Sequence, residues 1–294
     1  MLIKIKIMSD SEFCLTEVNM KKTYKTVNDS LAIIVLSFDG YKDVWPYFFE
    51  AFNKYWSGCA YPVYLVNNEA KVEYKNIHVI NTGKEVNWCD RARKAIQQID
   101  SKYILLLLED YLIGTEVENK NIEQVLNFID KNDVKYFRLT NIPHLRSKMK
   151  NANNIYPIFK NEEYGINLQA SIWKKEYLLT TLKIVDGSAW EFEIDFLKKA
   201  MNEKDEPYSD CFVSDANVID IHNGILKGKW FPNTIRYFRK RGINIDYISR
   251  GKLSFREVIE YNTRFQLRER MPYSLRKKIK KILIKFGLKF VSDN

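Results

Sequence analysis

Glycine and proline are scarce in this chain, 11 and 7 of 294 residues, which excludes a collagen-like or linker-rich, low-complexity protein. Cysteine is scarcer still. Cys14, Cys59, Cys89 and Cys211 are scattered, no two at C-x-x-C spacing, so neither a zinc knuckle nor a redox pair is indicated and a reducing, cytosolic setting is expected. There are three histidines. No apolar run approaches the ~20 residues that span a bilayer; Tyr103–Leu108, YILLLL, is among the longest. The N-terminal MLIKIKIMSDSEF has no apolar stretch of signal-peptide length. No repeat of fixed period is present, which excludes a solenoid. The expectation is a cytoplasmic protein, at most peripheral on a membrane.

What is present is a large apolar fraction, 46% with 14% aromatic, enough for a packed core and against disorder over most of the chain. The net charge of +10 is uneven. Residues 225–294 hold 19 Lys+Arg against 5 Asp+Glu, a balance of +14, and residues 1–224 hold 28 against 32, a balance of −4. Such asymmetry points to an anionic partner for one end of the molecule.

Apolar strand-like runs occur at Leu31–Phe38, Tyr61–Val66, Ile77–Ile80 and Tyr103–Leu108, and helical spacing at Asp43–Trp56 and Trp88–Ile99. This alternation predicts an α/β fold with a mostly parallel, Rossmann-like sheet flanked by helices. Farther on we expect a helix over Ile122–Ile129, a strand over Lys135–Leu139 and a polar loop over 141–165. A strand over Leu168–Trp173 and helices over Lys175–Leu182 and Glu191–Met201 follow, then a last strand within Val213–Ile221 and a basic, largely helical extension. Each apolar strand stops at polar residues. Ligands bind outside the carboxyl ends of such strands, where Asp39, Asn67 to Glu69, Thr82 to Lys84 and Glu109-Asp110 fall.

Several groups there suit chemistry. Adjacent acids at a strand end, Glu109 and Asp110, are costly to bury unpaired; they would hold a hard divalent cation, or one would cap the next element while the other is solvated. His222 is a possible metal ligand, and Lys227 and Lys229 would neutralise diphosphate oxygens. Ser188 and Glu191 have capping-box spacing; alternatively Glu191 or Glu193 serves as a general base, and two positions apart they face different ways. Arg91 opens a helix where it would contact a phosphate or a strand-end acid. Along Pro272–Phe290, Leu275, Ile279, Ile282, Leu283, Phe286 and Phe290 form one helix face and seven cations the rest, the pattern of a helix lying in an anionic membrane interface.

The segments LAIIVLSFDGYKDVWPYFFEAF, YPVYLVNN and NWCDRARKAIQQIDSKYILLLLEDYLI together resemble nucleotide-sugar-dependent glycosyltransferases of the GT-A fold, of the type encoded in bacterial capsule and O-antigen clusters. That resemblance implies a donor site in which Glu109-Asp110-Tyr111 stands at the metal-binding acidic motif, with Mn or Mg on the donor diphosphate. Ser37, Asp39, Asn67 and Asn68 stand where base and ribose are held. His222 to Trp230, HNGILKGKW, is similar to the segment with which glycogenin-like retaining enzymes bind metal and diphosphate, implying His222 as a metal ligand and Lys227 on the diphosphate. Trp190-Glu191-Phe192-Glu193 resembles the site of the catalytic base in inverting enzymes, and inversion is the reading we favour.

The resemblance covers roughly residues 31–230. The expected organisation is an N-terminal extension (1–30), a GT-A transferase domain (31–230), a basic helical region (231–270) and a membrane-associating tail (271–294). The expected partners are a nucleotide-sugar donor, UDP-linked by preference, a glycan or lipid-linked glycan acceptor, and an anionic membrane surface touched by residues 272–290. The rivals are a single-stranded nucleic-acid binder, which would interleave cations with Trp230, Phe231, Tyr237, Phe238 and other aromatics but leaves the strand-end acids unexplained, and a non-catalytic scaffold.

Overall fold

A computed structural model describes residues 30–84, 87–144, 154–185 and 187–270, with Leu275, Lys278, Ile279 and Ile282. The expected tail helix over 272–290 otherwise lies outside the described residues, as do residues 1–29.

The chain opens β1 (Leu31–Leu36), α1 (Trp45–Tyr55), β2 (Val63–Asn67), β3 (Ile77–Asn81), α2 (Trp88–Gln98) and β4 (Tyr103–Leu108). β1, fully buried along its length, pairs parallel with both β2 and β4, and β2 pairs parallel with β3. After a short β5 (Tyr111–Ile113) come α3 (Asn119–Lys131), β6 (Tyr136–Arg138), β7 (Ile155–Phe159), β8 (Ser171–Lys174), α4 (Lys175–Ile184), α5 (Ala189–Asn202) and β9 (Pro207–Ser214). They complete an eight-stranded sheet in the order β3-β2-β1-β4-β8-β6-β9-β7. Four of its seven neighbouring pairs are parallel; β8 runs against β4 and β6, and β7 against β9. The fold is the expected α/β class, a mostly parallel sheet flanked by helices.

Period-two alternation along β1 sorts the layers. Leu31, Ile33 and Val35 pack with Phe48, Phe49 and Phe52 of α1 and Ile122 and Leu126 of α3. Ala32, Ile34 and Leu36 pack on the other side with Ala92 and Ile96 of α2, Leu178 of α4 and Phe192 of α5. A third cluster joins Val44, Ala51 and Leu112 to Ile225, Trp230, Ile235 and Phe238. It seats β10 (Ile221–Asn223), the β11–β12 hairpin (Ile225–Leu226, Lys229–Trp230) and α6 (Pro232–Arg239) against the back of the first layer; α7 (Phe255–Arg270) follows.

Two expectations are corrected. The strand expected within 213–221 is β9, which begins at Pro207, and the separate β10; β9 was hard to see because its first half is polar and open to solvent. The loop expected over 141–165 contains β7, whose Pro157 is tolerated because β7 is an edge strand.

Candidate functional site

From β1 the chain moves outward to β2 and β3, then returns to the other side of β1 as β4. The topology therefore switches direction between β1 and β4, and open α/β sheets place ligands in the crevice at that point, beyond the carboxyl ends. Ser37–Gly40 and Glu109-Asp110 stand there.

Glu109 is buried, 7% exposed. Burial pushes its carboxyl well above the usual range and the neighbouring Asp110 adds to this, while its own backbone N–H, the Ser37 hydroxyl and the Arg91 guanidinium pull the other way. Asp110 is raised too, by burial first and then by the charge of Glu193, with Arg250 opposing. Glu193, on the first turns of α5, is held by the Leu168 backbone N–H, which donates to Oε1 at 2.9 Å. The Tyr111 hydroxyl is pushed up by burial, then by Asp110, Glu193 and Tyr261. Tyr41 is raised by burial, then by Asp110 and Glu109. Three carboxyls from two elements thus share one low-dielectric edge with tyrosines around them.

Two guanidinium groups offset this negative charge. Arg91 of α2 is buried and donates to the Ser37 carbonyl at 3.1 Å. Burial lowers its proton affinity against the pull of Glu109 and Asp39, and its guanidinium lies 5.5 Å from the ring of the exposed Phe38. Arg250 arrives from far along the chain. It grips both oxygens of Asp43 at 2.6 Å and stacks 4.3 Å from the Tyr41 ring centroid. Arg250, Tyr41 and Tyr261 are not among the donor-site residues expected from the sequence. Arg250 had no local signal, because its partner Asp43 is 207 positions away.

Other expected site residues hold hydrogen bonds within the fold. Asp39 accepts from the backbone N–H groups of Asn68, Glu69 and Ala70 at 3.0–3.1 Å, binding the β1 and β2 ends together. Asn67 is 0% exposed; its side chain donates to the Ala70 carbonyl and accepts from Asn81. Asn68 donates to the Gly83 carbonyl and accepts from the Asp39 N–H. Ser37 is buried and accepts from the Trp45 indole at 2.7 Å; it serves the site through Glu109. Glu191 closes the capping box of α5: its carboxylate accepts from the Ser188 N–H at 2.6 Å, which holds its proton affinity down. Of the two candidate bases, Glu193 faces the acids and Glu191 caps the helix.

His222, Lys227 and Lys229 do not join the cluster. β10 pairs with β5 so that His222 stands opposite Leu112 and Asn223 opposite Tyr111. His222 therefore shares the face of Leu112, turned toward the third core cluster, where its ring lies 3.9 Å from Tyr237 and bonds Asp220 at 3.3 Å. Asn223, on the other face, contacts the Tyr261 hydroxyl at 3.4 Å. Lys227 and Gly228 have φ of 52° and 77°, the left-handed pair of a tight hairpin turn, and Lys227 is exposed there. Lys229 pairs with Glu257 at 3.0 Å. Gly224 lies close against its neighbours. Its N–H donates to the Asp110 carbonyl at 2.6 Å, and a Cβ would stand 3.1 Å from that oxygen and 2.9 Å from Leu112.

Among the described residues no three His, Cys, Asp or Glu side chains converge as a metal site. The oxygens that would suit a hard cation are those of Asp110 and Glu193, whose mutual repulsion a cation relieves. Of the aromatics that the nucleic-acid alternative would use, Trp230 and Phe238 are fully buried in the core. Also among the described residues, no helix is long and apolar enough to cross a membrane.

No protein-family model and no curated protein matches the chain. Solved structures show a distant likeness. S. aureus TarS is 13% identical over 83% of this chain, with a TM-score of 0.42. The chain spans 44% of that TarS chain and 59% of the shorter TarS 1-349 chain. The mannosyltransferase PcManGT from Pyrobaculum calidifontis, in complex with GDP-Man and Mn2+, is 10% identical over 89% of this chain and 76% of its own, with a TM-score of 0.39. A cytidylyltransferase from Leptospira borgpetersenii is 12% identical over 80% of this chain and 96% of its own, with a TM-score of 0.42. At this distance the activity rests on the residues.

Proposed function

We propose that the protein is a glycosyltransferase that moves a sugar from a nucleotide-diphosphate donor to an acceptor hydroxyl, with inversion. The observation that carries this reading is the carboxyl group of Asp110, at the β1–β4 switch point, standing in the field of Glu193 from α5. A carboxylate suited to a divalent cation and a second carboxyl able to take a proton thus stand within electrostatic reach of each other.

Each group has a role in this reading. The exposed ring of Phe38, beside Arg91, offers a stacking face to a base. Arg91 and Arg250 neutralise diphosphate oxygens. A divalent cation, Mn or Mg, would be held by Asp110 with Glu193 near it and would supply positive charge for the leaving diphosphate. Glu193, oriented through Leu168, takes the proton of the attacking hydroxyl. The acceptor is a glycan, lipid-linked in surface polysaccharide synthesis, and residues 272–290 hold the enzyme at the membrane that carries it.

The test is a donor-hydrolysis screen over UDP-, GDP- and dTDP-sugars with Mn or Mg. The reading expects cation-dependent release of the nucleoside diphosphate from at least one donor, lost in Asp110→Asn. Absence of release from every donor with either ion would overturn it.

A further inference from the structure

Between α6 and the start of α7 lies an open groove of about 430 Å³, lined by Arg236, Lys252, Leu253, Phe255, Val258 and Ile259 among others. Phe255 is 82% exposed and Ile259 48%; four positions apart on α7, they share a face. Large apolar side chains held together in water mark contact surfaces rather than ordinary exterior. The two cations beside them are exposed. Among the described residues no carboxylate forms an ion pair with either, and no acid lines the groove.

The charge around the groove selects the occupant. Residues 231–270 carry 10 Lys+Arg against 4 Asp+Glu, and residues 271–294 carry 7 against 1. The chain's own C-terminal segment is therefore of the same sign as the groove and does not complement it. An excess spread along this much chain matches an extended anionic surface better than a discrete anion. Apolar side chains flanked by cations are what an anionic bilayer takes up, the rings and branches entering the acyl boundary and the cations meeting lipid phosphates. Leu275 and Ile282, seven positions apart, are also exposed, 46% and 53%, and extend the same chemistry past α7.

We propose that this face of α6 and α7 docks on an anionic membrane surface, Phe255 and Ile259 inserting and Arg236 and Lys252 engaging headgroup phosphates. The proposal is separate from the tail contact over 272–290, and it does not rest on the transferase reading, because its readout is partitioning and not turnover.

Flotation of the full-length chain with vesicles of phosphatidylglycerol mixed into phosphatidylcholine, against phosphatidylcholine alone, tests it. Binding is expected only to the anionic vesicles. With the tail intact, Phe255→Ser with Ile259→Ser and, separately, Arg236→Glu with Lys252→Glu should each weaken partitioning roughly tenfold or more at an unchanged Tm. Partitioning by both variants equal to that of the unchanged chain would overturn the proposal, as would equal binding to phosphatidylcholine alone. Light scattering that shows a dimer broken by Phe255→Ser would overturn it in favour of self-association.

Discussion

Asp110 carries an electrostatic conflict. Burial and Glu193 both raise its proton affinity, so the folded state resists its charge. For a carboxyl with a raised folded value the cost is absent when the group is protonated in both states. It grows as pH climbs from the ordinary carboxylate range toward the raised value. Asp110→Asn is therefore expected to stabilise the protein by about 1–3 kcal/mol near pH 8 and to match it near pH 4. Denaturant melts at the two pH values check this; equal stabilities near pH 8 would remove the conflict. The two α5 glutamates separate just as clearly. Glu193→Gln should lower kcat roughly 100- to 10,000-fold with the fold intact. Glu191→Gln should keep kcat and lower Tm by roughly 2–4 °C through the weakened capping box. Steady-state kinetics on whichever donor turns over, with melting curves for both variants, decides between them.

At the scale of elements, the site is a meeting of segments distant in sequence, and Gly224 is where two of them touch. Its N–H donates to the Asp110 carbonyl, and Leu112, Trp230 and that carbonyl oxygen leave no room for a Cβ. Gly224→Ala is expected to cost about 1–3 kcal/mol and to weaken nucleotide binding by displacing Asp110; calorimetry that finds both unchanged would contradict this. The β1–α1–β2 and β3–α2–β4 units were legible in the sequence because buried parallel strands are continuous apolar runs and their helices keep a clean period. So was the strand-end placement of Glu109 and Asp110, which follows from that alternation. Local reading failed where a side chain's duty is set by pairing. Asp39, Asn67 and Asn68 stand at strand ends like ligand contacts, yet they bind those ends to each other. His222 sits beside Asn223, but β10 register sets it opposite Leu112, on the face away from Tyr111. Arg250 reaches Asp43 across most of the chain, which no local pattern announces.

For the whole molecule, the split charge is the organising feature. The residues with a balance of −4 include the acids at the strand ends, which favour a cation or the proton of a substrate, and the +14 falls in the sequence beyond residue 224, which includes α6 and α7. Arg250 crosses from the basic part toward the acids at the strand ends. Catalysis and membrane contact are thereby assigned to opposite charges, and salt should weaken the second far more than the first. Vesicle binding and donor turnover measured over one salt series would show this difference, and parallel losses would contradict it. The most direct test of the central claim is a calorimetric titration of UDP and GDP into the protein with and without Mn, repeated on Asp110→Asn. The account predicts saturable one-to-one binding of at least one nucleotide that Mn strengthens and the substitution abolishes. Binding that persists unchanged in Asp110→Asn, or no binding of either nucleotide with Mn present, would contradict it.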